Sequence, residues 1–558
     1  MQISLKEWTD KGHPWIWLNA AAVSISLIAV VGLLLLITVR GLGHFWPHSL
    51  LQADYVLEGR EPIRVIGEIT QEEDIPTEQL RSAGYPVDES RDFMTRYMIK
   101  TGNRDVLGSD FRWVLADALQ NRSYPEELVT LERREWGNYY GYIVAVKENG
   151  QVVATAAEDS RQAWKALQER IERALDIHDV IYDIEKVEIG KVNYELERLR
   201  LRERRLELEG AATPEALAEI ATLRTQQDDQ YKGLQEQLAE LYAQIDRDSV
   251  IMVGMNGQES EIQLAKIVRA FQPNRMGLGA KIGHYGEKVW EFVSDDPREA
   301  NTEGGIFPAI YGTVLMVLIM SIMATPLGVV AAVYLREYAD QGALTKIIRI
   351  AVNNLAGVPS IVYGVFGLGF FVYFLGGSID RLFYPEALPS PTFGTGGLLW
   401  ASITLAMLTL PVVIVATEEG LARIPRTIRE GSLALGATKI ETLWRVVLPM
   451  ASPAMMTGMI LAIGRAAGEV APLMLVGVVK LAPSLPLDGN YPFLHLDQKF
   501  MHLGFHIYDV GFQSPNVEAA RPLVYATSLL LVLVIALLNF AAVAIRNHLR
   551  EKYKALEM

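Results

Sequence analysis

Cysteine is absent from all 558 residues. Disulfides, thiol nucleophiles and thiolate metal sites are thereby excluded, although the absence does not fix a compartment. Also missing is any GlyxxxxGlyLys followed by Ser or Thr, the loop whose backbone amides cradle nucleotide phosphates. The chain is therefore not expected to hydrolyse ATP itself. Histidine is sparse, with nine in all, and His495, His502 and His506 lie at loose spacings without an acidic ligand motif, so they read as loop polars and not as a metal site. A basic surface is lacking too. The formal charge is −14, and residues 41–300 alone hold 48 acidic and 32 basic side chains, which argues against a nucleic-acid partner.

What the chain has in quantity is apolar surface, half of its residues and a mean hydropathy of +0.16. That is too apolar for a wholly soluble protein and too long for one domain. Residues 15–40 hold an apolar run ending in ThrValArg without a small-residue cleavage pattern, read as a retained membrane anchor. Five more runs fall at about 306–335, 355–375, 398–416, 453–479 and 522–545, giving six membrane helices. Lys and Arg crowd the connections after the second and fourth helices and residues 547–558, and are thin in the opposite connections. By the positive-inside rule, residues 1–14 and 547–558 face the cytoplasm and the acidic 41–300 segment lies outside it.

That segment contains no membrane-length apolar run. Strand-like text at 63–69, and at 140–147 before a GluAsnGly turn, predicts an α+β domain. Over about 187–247 the text becomes helical, with Val192, Leu196, Leu199 and Leu206, then Tyr231, Leu234, Leu238, Leu241 and Ile245, at coiled-coil spacing. Thr213 as N-cap and Pro214 at the first helical position restart the helix between the two arms. An antiparallel coiled-coil hairpin inserted in the domain is the expected result.

Two patterns within residues 301–546 carry chemistry. In the cytoplasmic connection at about 417–449, Glu430, Gly431 and Ser432 are followed by Gly436 and, further on, by Val446, Leu448 and Pro449. A short helix small on one side can enter a groove on another protein, Gly436 can break it, and a second helix can return the chain to the membrane. A basic helix lying on anionic lipid would have no need of that glycine spacing. Beyond it, Arg465 and Glu469 interrupt an apolar run. Arg465 lies about 18 Å past Pro453 at 1.5 Å per residue, near the middle of a core about 30 Å thick. A charge there costs at least about 2.5 kcal/mol, so it should face protein or a wet cavity, and a guanidinium suits an oxyanion in transit. Glu469 is expected one helical turn on, on the same face. Mutual neutralisation, or a bridge to another subunit, is the alternative use of the pair. In the third helix Asn354, Gly357, Pro359 and Ser360 interrupt the apolar text, as unwound backbone lining a path would; small-residue helix packing explains the glycine as well.

The Glu430 to Pro449 spacing resembles the loop shared by permease subunits of ABC importers, with Gly431 and Ser432 where alanines are usual and Val446 for isoleucine. GlyArgAlaAlaGlyGluValAlaProLeu around Arg465 and Glu469, ThrProLeuGlyValValAlaAlaVal from Thr325, and AsnAsnLeuAlaGlyValProSer from Asn353 resemble the PstA-type permeases of phosphate importers, with Val470 where threonine is common. The resemblance covers under half of the chain. It implies six transmembrane helices of the type I ABC importer permease fold, making a subunit that passes inorganic phosphate into the cytoplasm by alternating access. It further implies a homologous PstC-type permease, two PstB-type ATPase subunits holding ATP and Mg, and a periplasmic phosphate-binding protein, in a bacterial inner membrane. No cofactor is expected on this chain. Nothing physical in the sequence separates phosphate from another oxyanion. An ion-coupled carrier would not need the 417–449 loop, and a transmembrane sensor would need a cytoplasmic output module. The acidic domain has no counterpart in the resemblance. Its hairpin could reach a binding protein, the cell wall or another subunit.

Overall fold

The computed structural model describes residues 12–57, 61–82, 91–514 and 517–553. Helix α1 (His13–Gly43) is a bare apolar rod, exposed over nearly its whole length. Its outer end alone is buried. A Cβ on Gly41 would lie 3.0 Å from the Tyr525 carbonyl oxygen, so glycine lets this helix cross the last membrane helix closely.

The domain that follows is built from two antiparallel sheets. The first runs β4-β3-β2-β1-β5, with β1 Leu50–Tyr55, β2 Ile63–Pro76, β3 Phe93–Lys100, β4 Phe111–Leu115 and β5 Leu119–Ser123. The second runs β10-β9-β7-β6-β11, with β8 paired to β7. Its strands are β6 Val129–Arg133, β7 Tyr139–Glu148, β8 Gln151–Thr155, β9 Asp248–Val253, β10 Glu259–Gln263 and β11 Ile267–Phe271. The expected hairpin at GluAsnGly is the β7–β8 pair. Helix α2 (Ser160–Tyr182) lays Leu167, Ile171, Ala174 and Ile181, one stripe at helical spacing, on Val129, Leu131, Val250 and Met252 of the second sheet.

A π-helical turn at Asp183–Glu188 joins α2 to α3 (Ile189–Leu208) without a break. The first arm of the hairpin therefore starts at Ser160, capped by Asp159, and not near residue 187. The change of text near 187 marks where the rod leaves the cover of its sheet, not where it begins. Helix α4 (Pro214–Ile245) returns alongside, and Thr213 accepts the Ala216 amide at 3.2 Å as its N-cap. Both β9 and β10 come after the hairpin in the chain, so the hairpin is an insertion in the second sheet.

The hairpin does not stand free. Tyr182 donates to the Asp296 carboxylate at 2.5 Å. Further along the same rod, Tyr194 donates to the Tyr491 carbonyl and sets its ring against His495, and Arg205 pairs with Glu386. The first arm thus lies across the loops at the domain-side end of the membrane part. Helix α5 (Leu278–Ser294), an amphipathic segment, then leads into the second membrane helix.

Among the described residues, six helices are long and apolar enough to cross a membrane: His13–Gly43, Phe307–Tyr338, Ser360–Phe383, Leu398–Arg423, Lys439–Gly468 and Ala520–His548. Within them lie α6 (Phe307–Val333), α8 (Ser360–Phe366) and α9 (Leu398–Arg423). The amphipathic α7 (Ala343–Leu355) lies before α8. Helix α9 is the most buried of the six spans, and the core forms where Met316, Met320, Leu405, Leu408, Ile463 and Ala466 meet. The fold is a membrane unit built on these helices, carrying an extra two-sheet domain.

Candidate functional site

Residues 424–449 form a compact knuckle. Helix α10 (Arg426–Ala434) follows Pro425, and the chain turns at Gly436, whose φ of +90° favours glycine. Helix α11 (Lys439–Thr442) starts with a capping box: the Glu441 amide donates to the Thr438 hydroxyl at 3.3 Å, and the Thr438 amide to the Glu441 carboxylate at 2.9 Å. The Ser432 and Thr442 hydroxyls, 2.9 Å apart, pin the two short helices together.

The knuckle is anchored to the membrane part by Arg429. Its guanidinium donates to the carbonyls of Ile424 at 2.6 Å and Leu421 at 2.8 Å, and to the Glu337 carboxylate at 2.9 Å. Lys439 donates to the Glu337 carbonyl at 2.6 Å and sits 4.4 Å over the Tyr338 ring. Four apolar side chains remain uncovered: Leu435 is 91% exposed, Trp444 75%, Ile440 68% and Leu433 47%. Glu430 and Gly431 are exposed beside them, and Ser432, Leu448 and Pro449 are half-buried. Arg429, Glu337, Lys439 and the four apolar residues escaped the sequence reading. Only the exposed apolar spacing carried a local signal, because Glu337 and Arg429 are 92 residues apart.

From α11 the chain continues through a π-helical turn at Leu443–Val447 into α12 (Leu448–Gly468). Knuckle and charged segment are thus one helical rod, Lys439–Gly468. Gly458 packs on Val413 and Ala416, and Gly420 on Ala454. This antiparallel register puts Arg465 opposite 406–409 of α9, about 12–16 Å in from that helix's N-terminal end at 1.5 Å per residue.

Arg465 Nε lies 3.6 Å from Glu469 Oε1, beyond hydrogen-bond reach, with the side chains 32% and 22% exposed. The two are not on one helical face. The helix stops at Gly468, and Glu469 is extended at φ −82°, ψ 131°, because Gly468 releases the backbone and Pro472 cannot extend the hydrogen-bond ladder. The fifth membrane helix therefore ends at Gly468 and not at about residue 479. A short helix, α13 (Leu473–Val476), follows the break.

The third membrane helix starts at Ser360 and not at Leu355, since Pro359 ends the preceding turn. Tyr363 donates to the Leu355 carbonyl at 2.8 Å across that break and packs in the same core as Ile463, Ala466 and Leu473. Gly364 meets Pro472 closely. The two helix breaks are thus packed together. Asn354 is exposed and Ser360 half-buried; among the described residues neither hydrogen-bonds to Arg465 or Glu469. Asn539 was missed. Its amide stands beside Gly464, and its Oδ1 is buried without a protein partner. Its signal was a lone amide in the apolar 522–545 run.

The three loop histidines have structural surroundings. His495 Nε2 lies 2.8 Å from Asp488 Oδ1, and His502 Nδ1 accepts the Gly504 amide at 3.1 Å, capping α14 (Leu503–Tyr508). Burial pushes His502 and His506 down to about 4, so both are neutral at physiological pH.

Residues 324–554 match the family described as binding-protein-dependent transport system inner membrane component. Phosphate transport system permease protein PstA 1 of Mycobacterium tuberculosis is 35% identical over 247 residues, which cover 44% of this chain and 71% of that protein. Phosphate transport system permease protein PstC of Xylella fastidiosa is 33% identical over 209 residues, 36% of this chain and 64% of that protein. Among solved structures, a chain of the inward-facing MetNI methionine ABC transporter aligns over 47% of this chain and 98% of its own at 19% identity, with a TM-score of 0.31, too loose a likeness to argue from. The two-sheet domain precedes the family match.

Proposed function

This chain belongs to the PstA-type permeases of binding-protein-dependent ABC importers, and from that premise we propose that it passes inorganic phosphate into the cytoplasm by alternating access. The observation that carries the proposal is the single rod, Lys439–Gly468, with an uncovered apolar knuckle at one end and Arg465 near the other. Exposed Leu435, Ile440 and Trp444 suit the groove of a separate ATPase subunit, which holds ATP and Mg. Arg429 and Lys439 brace the knuckle against Glu337, so a push from the ATPase reaches the ends of two membrane helices together.

Arg465 is the phosphate contact. Its separation from Glu469 leaves guanidinium donors for an oxyanion, while the carboxylate weakens retention and favours release. Asn354, Ser360 and Asn539 line the path nearby, where broken helix and a lone amide supply polar groups. The partners are a PstC-type permease completing the path, two PstB-type ATPases and a periplasmic phosphate-binding protein. The distribution of Lys and Arg puts the knuckle and both termini in the cytoplasm and residues 41–300 outside, in a bacterial inner membrane.

The test is ATP-dependent phosphate uptake by the complete complex in proteoliposomes, with ATP hydrolysis measured against a panel of oxyanions. Phosphate should stimulate hydrolysis most. Equal uptake by an Arg465→Ala complex would remove Arg465 from the path, and stronger stimulation by another anion would reassign the substrate.

A further inference from the structure

A cavity of about 740 Å³ lies where the two-sheet domain meets the membrane part, between the outer ends of α1 and the last membrane helix. Its lining is graded. On the domain side it is crowded with charge, and on the membrane side it reaches Leu36 and Val39 of α1 and Leu523 of the last helix. Leu36 lies five residues below Gly41, about 7.5 Å at 1.5 Å per residue, and is itself exposed. The cavity therefore extends below the helix crossing at Gly41 and Tyr525, into the zone where α1 is bare.

Most of the buried charges are satisfied by each other. Lys288 bridges Glu132 and Glu291 at 3.0 Å each, Arg298 reaches Glu291 at 2.6 Å, and Arg104 reaches Glu299 at 2.8 Å. Lys100 and Glu303 differ. Both line the cavity, and among the described residues neither side chain has a hydrogen bond or an ion pair within 4 Å. Arg40 and Arg521, also in the lining, are likewise unpaired among the described residues. Burial pushes the Glu303 carboxyl up to about 7, Lys100 notwithstanding. Both side chains are half-buried, and hydrogen-bonding groups so enclosed are costly unless something completes them.

We propose that this cavity is a lipid site holding the zwitterionic head group of an outer-leaflet phospholipid of the phosphoethanolamine kind. The phosphate lies toward Lys100, Arg40 and Arg521, the ammonium toward Glu303, and the acyl chains leave along Leu36 and Val39. Unpaired groups of both signs match a zwitterion better than a simple anion, and the graded lining matches an amphiphile better than a soluble ligand. The bound lipid fills the joint between the domain and the membrane.

A free phosphate ion shares the head group's chemistry on Lys100, so the experiment must separate the two. The complete complex is extracted into detergent and stripped of loosely held lipid. It is then examined by native mass spectrometry with added phosphatidylethanolamine, or with inorganic phosphate, for wild type, Lys100→Met and Val39→Trp. Val39 is 63% exposed, so its substitution narrows the mouth without touching the core. The wild type should retain one phosphatidylethanolamine, and each variant should retain at least about tenfold less while still copurifying with its ATPase. Unchanged lipid in Val39→Trp overturns the proposal even if Lys100→Met fails to assemble. So does a Lys100-dependent phosphate adduct without lipid, which assigns the cavity to a free anion. Lipid loss in both variants supports it.

Discussion

At the knuckle end of the permease unit, Leu435 and Trp444 stand 91% and 75% exposed, whereas at the opposite end, the outer face if the acidic domain lies outside as proposed, the Glu386 side chain is 3% exposed beneath Arg205. The knuckle surface is uncovered and the opposite one is covered by the chain's own hairpin. Both are polar at their margins, so composition does not separate them. The difference is in what covers them. The knuckle keeps its apolar groups uncovered. The outer loops are held by an element on the same chain, which cannot dissociate and so acts at high effective concentration. The acidic domain is thereby tied to the transport unit and is more than an appendage.

Four substitutions can break or sharpen that contrast. The largest effect should come from Gly436→Val. A β-branched residue at φ +90° is strained by about 1–3 kcal/mol and should refold the knuckle. Loss of both ATPase copurification and phosphate uptake is expected, and an intact complex would show that the knuckle is not the docking surface. Between the faces, Arg465→Ala should cut uptake by about 100-fold, the equivalent of a charge-assisted contact near 3 kcal/mol, with assembly unchanged. Leu435→Asp tests the uncovered patch directly. Forfeiting about 2 kcal/mol of leucine burial should weaken ATPase association by about 30-fold in a titration, without lowering the melting temperature. The smallest effect belongs to the outer face. Arg205→Ala leaves Glu386 without its partner, and because Arg205 is about half exposed the cost should be near 1 kcal/mol, read as faster proteolysis of the hairpin at unchanged ATPase association. A comparable loss of association would mean that the two faces are not independent.

The membrane helices were legible because an apolar run is a local signal, as was the cap at Thr213, where three residues decide the geometry. The α+β character of the domain could be read from period-two text and turns. Its sheet order could not, since β9 and β11 pair with β7 and β6 only after the hairpin intervenes. At the candidate site, the charges at 465 and 469 were visible because they stand in apolar text, but the packing of the break between them against the third membrane helix, at Gly364 and Pro472, joins residues far apart in the chain. Contacts such as Tyr194 with Tyr491, 297 residues apart, leave no trace in the sequence. Neither does the cavity, whose lining comes from α1, both sheets, α5 and the last helix.

The π-helical turn at Asp183–Glu188 sets the angular phase of the hairpin. In an α-helix each residue advances the side-chain direction by about 100°. Tyr194 and Arg205, eleven residues apart, point within about 20° of each other on that count, while Tyr182, twelve residues before Tyr194, would point about 120° away. A π-helical turn absorbs one extra residue, which brings Tyr182 back to within about 20°. All three contacts with Asp296, Tyr491 and Glu386 therefore fall along one line of the rod. The turn makes a straight helix face its own sheet at one end and the outer loops of the permease at the other.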